Sequence, residues 1–556
     1  MNIQLPEHLQ KYKSLQNYEN YTPQDQAVWR YCLRQLKEFL SRNGHSCYLA
    51  GLDKTGITSE SIPKISEMSQ ALQKFGWTAM PVSGFIPPAA FMELQSLGIL
   101  PIACDMRTID HILYTPAPDI VHEAAGHAPI IIDPEYADYL KQYSQVAKKS
   151  IISKEDIELY EAIRDLSDIK ENPSSTENQI KYAEIKLQET LKKITHTSEA
   201  SQLSRMNWWT AEYGLIGDLG QPKIFGAGLL SSIGESKFCL TEKVKKIPLS
   251  LDCIHQGYDI TEPQPQLFVT PDFKTLVNVL NEFAQTMAYN TGGVSALEKA
   301  HKAESINTIE FENKIQISGQ LETYLVDQEK IIFLKFSGPT QLAFKNQEIS
   351  GHGKNYHSQG YSSPVGKFTI DNLVLNQQTT MSYESGFKIN GILTQKNSVD
   401  QNAVIYSFNQ VTMTYKNEIY FKPEWGILDI ITGHNVISVF GGPADRLRFG
   451  STDDFIATIV PPYSPTLEQK NIYNIFQIIR VYREGNNSNS VDLESLFEKA
   501  KKNASDEWLI FLELFELASK FNFSCKTSIK NYLDLLIIRH PQHQTVIEDG
   551  LQLIYA

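Results

Sequence analysis

Cysteine is scarce in this chain, with six residues among 556, and the six are scattered. No two of them form a C-x-x-C pair, so the sequence indicates neither a zinc knuckle nor a disulfide framework. We therefore expect all six to be reduced thiols: Cys32, Cys47, Cys104, Cys239, Cys253 and Cys525.

Long apolar runs and an excess of positive charge are also missing. No run of about 18 apolar residues occurs, and residues 1–12 contain no apolar segment, so neither a membrane span nor a signal peptide is predicted. The net charge is -13 and the pI is near 5.6, which argues against a nucleic-acid or anionic-membrane partner because both require a basic surface. We expect a soluble, cytoplasmic protein that acts on small molecules.

The overall composition is that of a folded, multidomain protein, with 42% apolar and 21% charged residues. Residues 1–303 show mainly helical periodicity. Short alternating runs of β-branched and aromatic residues over 304–460 predict an all-β domain, and helical patterns return over 461–556. Because interfaces between such domains are often modest, we expect a fragment ending near Ala303 to fold alone.

Two features of the helical region can be placed in more detail. Thr22 and Pro23 suit the cap and first turn of a helix, and an apolar stripe follows at Val28, Tyr31, Leu33, Leu36 and Leu40. Two charged amphipathic segments joined by E-N-P-S-S-T predict an inserted helical hairpin at about 145–200. We expect a surface role for this hairpin, with a lid over the active site as the alternative.

The histidines of P-D-I-V-H-E-A-A-G-H-A-P, at 118–129, are the first candidates for chemistry. His122 and His127 are five residues apart, which on an ideal α-helix leaves them roughly 140° apart rather than on one face. They are therefore not the H-E-x-x-H pair of zinc proteases. A bend at Gly126 and the restriction that Pro129 imposes on Ala128 would allow both rings to reach one ion near a helix end. The ordinary alternative is two unrelated, partly buried histidines, and a metal site needs a third ligand from elsewhere.

Four blocks of sequence resemble one known family. Y-T-P-A-P-D-I-V-H-E-A-A-G-H-A-P, at 114–129, is similar to the signature Y-T-P-E-P-D-x-x-H-E-x-x-G-H-x-P of the pterin-dependent aromatic amino acid hydroxylases. P-V-S-G-F-I at 81–86 is similar to the family's pterin-side strand, and G-A-G-L-L-S-S-I-G-E at 226–235 nearly repeats a third family block. W-W-T-A-E-Y-G at 208–214 is similar to the family's W-F-T-x-E-F-G segment. The resemblance covers about residues 80–270 and implies a mainly α-helical, α+β catalytic core in that part of the chain.

The resemblance implies a non-haem iron monooxygenase. His122, His127 and Glu212 match the three iron ligands and are therefore the expected catalytic and metal-binding residues. Two imidazoles and one carboxylate leave coordination positions free, as in other non-haem Fe(II) oxygenases. By resemblance, Fe(II) and a tetrahydropterin, such as tetrahydrobiopterin, activate O₂ to hydroxylate an aromatic amino acid. We favour L-phenylalanine as substrate and L-tyrosine as product, because simple bacterial-type members without a regulatory domain mostly catalyse that reaction.

The remaining roles are carried over by position. The expected pterin-binding residues are Gly84, Ile86, Phe91 and Glu123. Arg107 matches the residue that clamps the carboxylate of the amino acid, as a bidentate guanidinium can. The expected substrate pocket also contains Thr115, Pro118, Trp208, Gly228 and Ser231, the last of which matches a residue that orients the first histidine. The chain departs from the family pattern at Pro88, Ala117 and Asn207, which puts the binding of the pterin in doubt.

Several alternatives remain at this point. Tyrosine and tryptophan hydroxylases share the iron ligands, a zinc hydrolase could use them with Glu123 as base, and the C-terminal half could make the chain an assembly protein. The oligomeric state is not predicted. The loop 351–364 contains His352 and His357, which admits a second metal site as a minor alternative.

Overall fold

The computed structural model of this chain describes residues 5–84, 86–113, 118–171, 175–260, 262–450, 465–484 and 492–555. Helices prevail in the first and last of three successive regions, and strands in the middle one. No helix within these ranges is both long and apolar enough to cross a membrane. All six cysteines are unpaired thiols.

The first region contains thirteen α-helices and six short strands among its described residues. Their bounds are α1 (Pro23–Asn43), α2 (Tyr48–Lys54), α3 (Ile65–Leu72), β1 (Thr78–Val82), α4 (Pro88–Ser96), β2 (Ile99–Ala103), α5 (Pro134–Ala147), α6 (Lys154–Glu171), α7 (Glu177–Lys193), α8 (Glu199–Asn207), β3 (Leu215–Ile216), β4 (Lys223–Ile224), α9 (Ala227–Leu230), α10 (Ile233–Phe238), β5 (Lys245–Pro248), β6 (Gln266–Thr270), α11 (Phe273–Thr286), α12 (Ala288–Thr291) and α13 (Gly293–Ala303). Two π-helices, Val121–His127 and Trp208–Glu212, lie among them. Strands β1 and β2 pair in parallel, and the other four form a sheet in the order β4-β3-β6-β5.

Helix α1 begins where the sequence predicts. The Thr22 hydroxyl accepts a hydrogen bond from the backbone N–H of Asp25, and the Asp25 carboxylate accepts one from the N–H of Thr22, which is a complete capping box. All five residues of the predicted apolar stripe are buried. Polar residues on the other faces of the helix are buried as well, among them Gln26, Arg30 and Gln35. Helix α1 is therefore covered on more sides than an amphipathic surface helix.

Helices α6 and α7 form the predicted hairpin. They pack against each other, and exposed ion pairs join Lys170 to Glu184 and Lys186 to Asp165. Between the helices, 172–174 lie outside the described residues. At the base of the hairpin, one carboxylate oxygen of Asp156 accepts a hydrogen bond from the hydroxyl of Ser198, and the other oxygen accepts one from the hydroxyl of Ser201. Both serines lie at the start of α8.

The middle region consists mainly of strands in two antiparallel sheets. Their bounds are β7 (Ile306–Phe311), β8 (Ile315–Asp327), β9 (Lys330–Phe344), β10 (Gln347–Glu348), β11 (Gly360–Pro364), β12 (Phe368–Ile370), β13 (Gln377–Tyr383), β14 (Lys388–Asp400), β15 (Ala403–Tyr415), β16 (Glu418–Phe421), β17 (Leu428–Ile431), β18 (Val436–Gly441) and one short helix, α14 (Arg446–Phe449). The first sheet has the order β10-β9-β8-β7-β18 with β11 on β9; the second has the order β12-β13-β14-β15-β16 with β17 on β15. Residues 451–464 lie outside the described ranges.

The boundary at residue 303 does not separate two independent cores. Leu297 and Ala300 of α13 belong to the same buried cluster as Ile309 and Ile317 of the first sheet. Part of the helical region therefore supplies one side of the core of this sheet.

The last region is helical and is packed on the first. Its bounds are α15 (Leu467–Glu484), α16 (Leu493–Asn503), α17 (Trp508–Phe521), α18 (Lys526–Arg539) and α19 (Gln544–Tyr555). The Tyr31 hydroxyl on α1 donates to the carbonyl of Val546 at 2.7 Å, and the Tyr31 ring meets Trp508 edge to face at 5.3 Å. Arg30 lies 3.2 Å from the Glu513 carboxylate. Both regions share one continuous buried core, so the expectation that a fragment ending near Ala303 folds alone does not fit this packing.

Candidate active site

The two histidines of the sequence motif face each other because the segment that carries them is a π-helix. In Val121–His127 the backbone bonds run from residue i to i+5, as between the N–H of Ala128 and the carbonyl of Glu123 at 3.4 Å. This wider turn places residues five apart on the same side. The imidazole rings of His122 and His127 lie 5.0 Å apart between centroids and are nearly perpendicular. The distorted turn expected from the sequence is thus a π-helix.

Glu212 completes the site from a second π-helix, Trp208–Glu212. One carboxylate oxygen lies 3.3 Å from Nε2 of His122, and the other lies 3.3 Å from Nε2 of His127. Burial alone would raise the pKa of Glu212, but the two imidazoles beside it lower that pKa well below its ordinary value. Asn207, one of the departures from the family pattern, directs its side-chain amide toward Glu212 at 3.4 Å.

The donor set of these three residues fits a divalent iron ion. The Glu212 carboxylate lies between the two imidazole nitrogens, and two imidazoles with one carboxylate are the ligand set of non-haem Fe(II) oxygenases. Nδ1 of His122 lies 3.1 Å from the hydroxyl of Ser231, a contact that holds the ring in place. The Ser231 hydroxyl also lies 2.7 Å from the carbonyl of Ala227.

Glu123 also lies close to His122 and His127, but one oxygen of its carboxylate has no hydrogen-bond partner among the described residues. Its carboxylate and the two imidazoles have ligand atoms within 4.8 Å of one another. Burial raises the pKa of Glu123 to about 8, against the lowering effect of His127. One of its oxygens is buried and makes no hydrogen bond to the described residues. This carboxyl group is therefore available to a ligand bound beside the metal.

Helix α9 holds both π-helices through close backbone contacts at its start. A Cβ on Gly126 would lie 2.6 Å from the carbonyl oxygen of Ala227, and a Cβ on Gly226 would lie 2.5 Å from the carbonyl oxygen of Glu212. A Cβ on Gly228 would lie 2.8 Å from the ring of Tyr213. Gly126 is thus required for contact with α9 and has no unusual backbone angle, contrary to the bend inferred from the sequence.

Arg107 is anchored by a carboxylate that the sequence analysis left unassigned. Its guanidinium donates two hydrogen bonds of 2.8 Å to Asp119 and one of 3.1 Å to the carbonyl of Ser231. Both side chains are buried. Although burial opposes ionisation of each group, their mutual attraction lowers the pKa of Asp119 and raises that of Arg107. Asp119 also accepts a hydrogen bond from the backbone N–H of His122, so it links the arginine to the metal site.

An aromatic stack lies beside Glu212. Trp208 is sandwiched between Tyr213, at 4.4 Å, and Tyr258, at 4.2 Å. The Tyr213 hydroxyl donates to the carboxylate of Glu235 at 2.8 Å. Both tyrosines are additions to the predicted pocket, and Tyr213 could have been identified because it directly follows the glutamate ligand.

Three of the four residues predicted to bind the pterin, Gly84, Ile86 and Phe91, follow strand β1, and the fourth, Glu123, is on the π-helix of the two histidines. Gly84 has a φ of 59° and its N–H donates to the Asp105 carboxylate at 3.2 Å. Ile86 is buried and Phe91 is packed against the same small cluster. A Cβ on Gly84 would lie 3.6 Å from the carboxylate of Asp168, so helix α6 of the hairpin reaches this loop.

Pro118 and Thr115 are the other two residues of the predicted substrate pocket. Pro118 is half-buried and directly precedes Asp119. Thr115 lies outside the described residues, as does Ala117.

Comparison with known proteins gives consistent results. The family model for biopterin-dependent aromatic amino acid hydroxylases matches residues 4–161 and 179–323, more than half of the chain. The phenylalanine-4-hydroxylase of Mesorhizobium japonicum is 31% identical over 267 residues, which are 47% of this chain and 80% of the relative. That of Pseudomonas aeruginosa is 28% identical over 268 residues, or 47% of this chain and 84% of the relative. A crystal structure of Chromobacterium violaceum phenylalanine hydroxylase with iron and phenylalanine bound is 22% identical, with a TM-score of 0.38 over 51% of this chain and 90% of that chain.

Proposed function

This chain belongs to the biopterin-dependent aromatic amino acid hydroxylase family, and we propose that it converts L-phenylalanine to L-tyrosine with O₂. The observation that carries the proposal is the convergence of His122, His127 and Glu212 from two π-helices. The matched relatives named above are phenylalanine-4-hydroxylases, which favours phenylalanine over tyrosine or tryptophan. No observation favours a zinc hydrolase or a purely assembly role.

In this proposal the chain holds iron through the Nε2 atoms of His122 and His127 and the carboxylate of Glu212. When bound, Fe(II) and the tetrahydropterin supply the electrons and the oxygen activation that protein side chains cannot supply. Ser231 fixes the orientation of the His122 ring. The depressed pKa of Glu212 keeps its carboxylate ionised and therefore ready to bind a cation.

The proposed carboxylate clamp for the substrate is the Arg107–Asp119 pair. A guanidinium has five N–H donors, and three of those of Arg107 are directed to Asp119 and Ser231. The two remaining N–H groups can face an amino acid carboxylate. Asp119 holds the guanidinium in one orientation, so less conformational entropy is lost when the substrate binds.

Trp208 and Gly228 are proposed to bound the space for the substrate ring. The indole is fixed by stacking on both faces, and its N–H is buried without a partner among the described residues. Gly228 lets α9 approach Tyr213. Pro118 and Thr115 remain proposed pocket residues.

The pterin is proposed to lie between the β1 loop and Glu123. Ile86 and Phe91 offer apolar surface, and the Asp168 carboxylate of α6 lies close to Gly84. The buried Glu123 oxygen that has no hydrogen bond to the described residues offers a polar partner for the amide-like edge of a pterin.

We propose three units along the chain: the catalytic region 1–303, with the hairpin at about 145–200 as an insertion, the β region 304–460 and the helical region 461–556. The family match omits 162–178, which include the second half of α6, and this supports that part of the hairpin as an addition to the family core. Because the core is shared, the helical region is proposed to act as a fixed support for α1. A reducing, cytoplasmic location is proposed from the six unpaired thiols.

The test is a product assay with the full chain, Fe(II), tetrahydrobiopterin and O₂, offering phenylalanine, tyrosine or tryptophan separately. We expect phenylalanine to give tyrosine at the highest rate. His122→Ala, His127→Ala and Glu212→Ala should each lose bound iron and turnover, because each removes one of three protein ligands. The control is His255→Ala, which removes an exposed imidazole elsewhere in the same region. Full iron and activity in all three variants would refute the site, and preferred hydroxylation of another ring would refute the substrate.

A further inference from the structure

A second cluster of metal-binding side chains lies in the β region, far along the chain from the iron ligands. His352 and His357 lie on the loop between β10 and β11, and Asp429 lies on β17. All three residues are buried, with 7%, 8% and 3% of their surface exposed, respectively. Strand β11 belongs to the first sheet and β17 to the second, so the cluster joins elements of both sheets.

The three ligand atoms are as close as ligands of a single small ion. Nδ1 of His352 lies 3.2 Å from Nε2 of His357 and 3.9 Å from a carboxylate oxygen of Asp429, and all three lie within 4.8 Å of one another. Ligands held at about 2.0–2.2 Å in tetrahedral geometry are separated by roughly 3.3 Å. Small movements of the side chains would therefore bring all three atoms into the first coordination sphere of an ion.

The protein holds these side chains from behind. The N–H of Leu342 donates to the carbonyl of His352 at 2.9 Å, and that of Thr340 donates to the carbonyl of His357 at 3.1 Å, so strand β9 fixes the backbone at both histidines. Ser407 on β15 stands opposite Asp429 in the strand register, and its hydroxyl donates to Oδ1 at 2.6 Å. The other oxygen, Oδ2, is the one that faces His352. A hydrogen bond to the distant oxygen of a carboxylate is the usual way in which a protein orients a metal ligand.

A hydrogen-bonded trio without metal explains the arrangement less well. One N–H between the imidazoles accounts for the contact of 3.2 Å, but 3.9 Å between His352 and Asp429 is beyond hydrogen-bond distance. The Asp429 carboxylate is hydrogen-bonded to Ser407 and to Tyr356, but neither partner carries a positive charge, and a divalent ion would supply one beside the buried carboxylate.

We propose that His352, His357 and Asp429 bind a divalent transition-metal ion, Zn(II) in the first instance, that ties the β10–β11 loop to strand β17. Two nitrogen donors and one oxygen donor suit Zn(II) better than Mg²⁺ or Ca²⁺, which prefer oxygen. The site is separate from the iron site and lies outside the residues that match the hydroxylase family. Its role is to hold the two sheets together.

The test measures Zn(II) binding to the full chain when the iron site is disabled by Glu212→Ala and His122→Ala. Metal-free protein is titrated with Zn(II), followed by mass-spectrometric metal analysis, and with Co(II), whose visible absorption reports nitrogen and oxygen ligation. We expect about one bound ion per chain. Adding His357→Ala should abolish binding, whereas adding His434→Ala, which removes an exposed histidine of the same region, should leave it unchanged.

Two milder variants keep the test decisive if His357→Ala does not fold. Asp429→Asn preserves the size of the side chain, and Ser407→Ala removes only the orienting hydrogen bond, so the latter should weaken Zn(II) binding about 10–100-fold. In the otherwise native chain, Zn(II) should raise the unfolding temperature of the β region, and Asp429→Asn should remove this effect while leaving hydroxylation intact. The proposal is overturned if the chain with a disabled iron site binds no ion, or if Asp429→Asn and Ser407→Ala bind Zn(II) as tightly as their parent.

Discussion

Replacing Gly126 by alanine tests how the iron ligands are positioned. The new Cβ would lie 2.6 Å from the carbonyl oxygen of Ala227 and 3.0 Å from its Cβ, and neither belongs to a flexible side-chain end that can move aside. Overpacking of this kind costs about 1–3 kcal/mol. Alanine is favoured over glycine within a helix by about 1 kcal/mol, which offsets part of that cost. We expect a net loss of up to roughly 2 kcal/mol in the free energy of unfolding.

Iron binding should suffer together with stability, because His127 directly follows the substituted residue. The assay is denaturant unfolding of the full chain, together with competition for Fe(II) by a chelator. The matched control is Gly234→Ala on α10, where the new Cβ would have only an ordinary contact of 3.5 Å with the carbonyl of Leu113. Gly126 does not have a positive φ, so alanine can adopt the same backbone conformation. If the glycine served only to bend the chain, the substitution would leave stability and iron binding unchanged. A Gly126→Ala protein as stable and as tightly iron-bound as Gly234→Ala would therefore refute the packing argument.

Three further outcomes are expected. Ser231→Ala should weaken Fe(II) binding about 10–100-fold by freeing the His122 ring, and an unchanged affinity in a chelator competition would contradict that role. Burial alone would raise the pKa of Glu516, but Arg483 lowers it to about 2 in the folded chain. The pKa in the unfolded chain is near 4.5, so the ionised pair stabilises the fold above pH 4.5 and loses this effect as the pH falls toward 2. Glu516→Gln should accordingly destabilise the chain at neutral pH and have little effect near pH 2, as measured by unfolding across pH, and a pH-independent effect would contradict the pairing. A fragment ending at Ala303 should be aggregated or largely unfolded by circular dichroism, and a soluble fragment with the activity of the full chain would show that the shared core is dispensable.

The residues of the proposed iron site could be predicted from the sequence, but their geometry could not. The motif blocks point to His122, His127 and Glu212, and the structure brings these side chains together. A helical period of 3.6 residues places the two histidines on different faces, and the π-helical turn that aligns them is not indicated by residue type. The π-helix that carries His122 and His127 packs against α9, which lies about a hundred residues further along the chain. Such long-range contacts leave no local signal.

The docking of the C-terminal helices was missed for a related reason. The pattern of apolar and polar residues along the chain indicates where strands and helices begin, but it does not reveal which of their surfaces pack together. One signal was nevertheless present: α17 begins with the continuous apolar run W-L-I-F-L, and Trp508 through Leu512 are all buried. A helix of that kind must be surrounded by other elements. The polar positions of α1 that are buried against this region, such as Arg30, carry no comparable signal, because their burial depends on a partner such as Glu513.

The contacts of α9 hold together the two segments that carry the proposed iron ligands. Gly226 meets the carbonyl of Glu212, and Ala227 meets Gly126, so the same short helix fixes the separation of both ligand-bearing segments. These are contacts between backbones, which cannot adjust as side chains do, and they do not involve the atoms that bind the ion. Packing against α9 therefore contributes to the placement of both π-helices independently of the side-chain atoms proposed to bind iron. Gly126 and Gly226 are therefore required for this packing, although neither residue contacts the proposed metal ion.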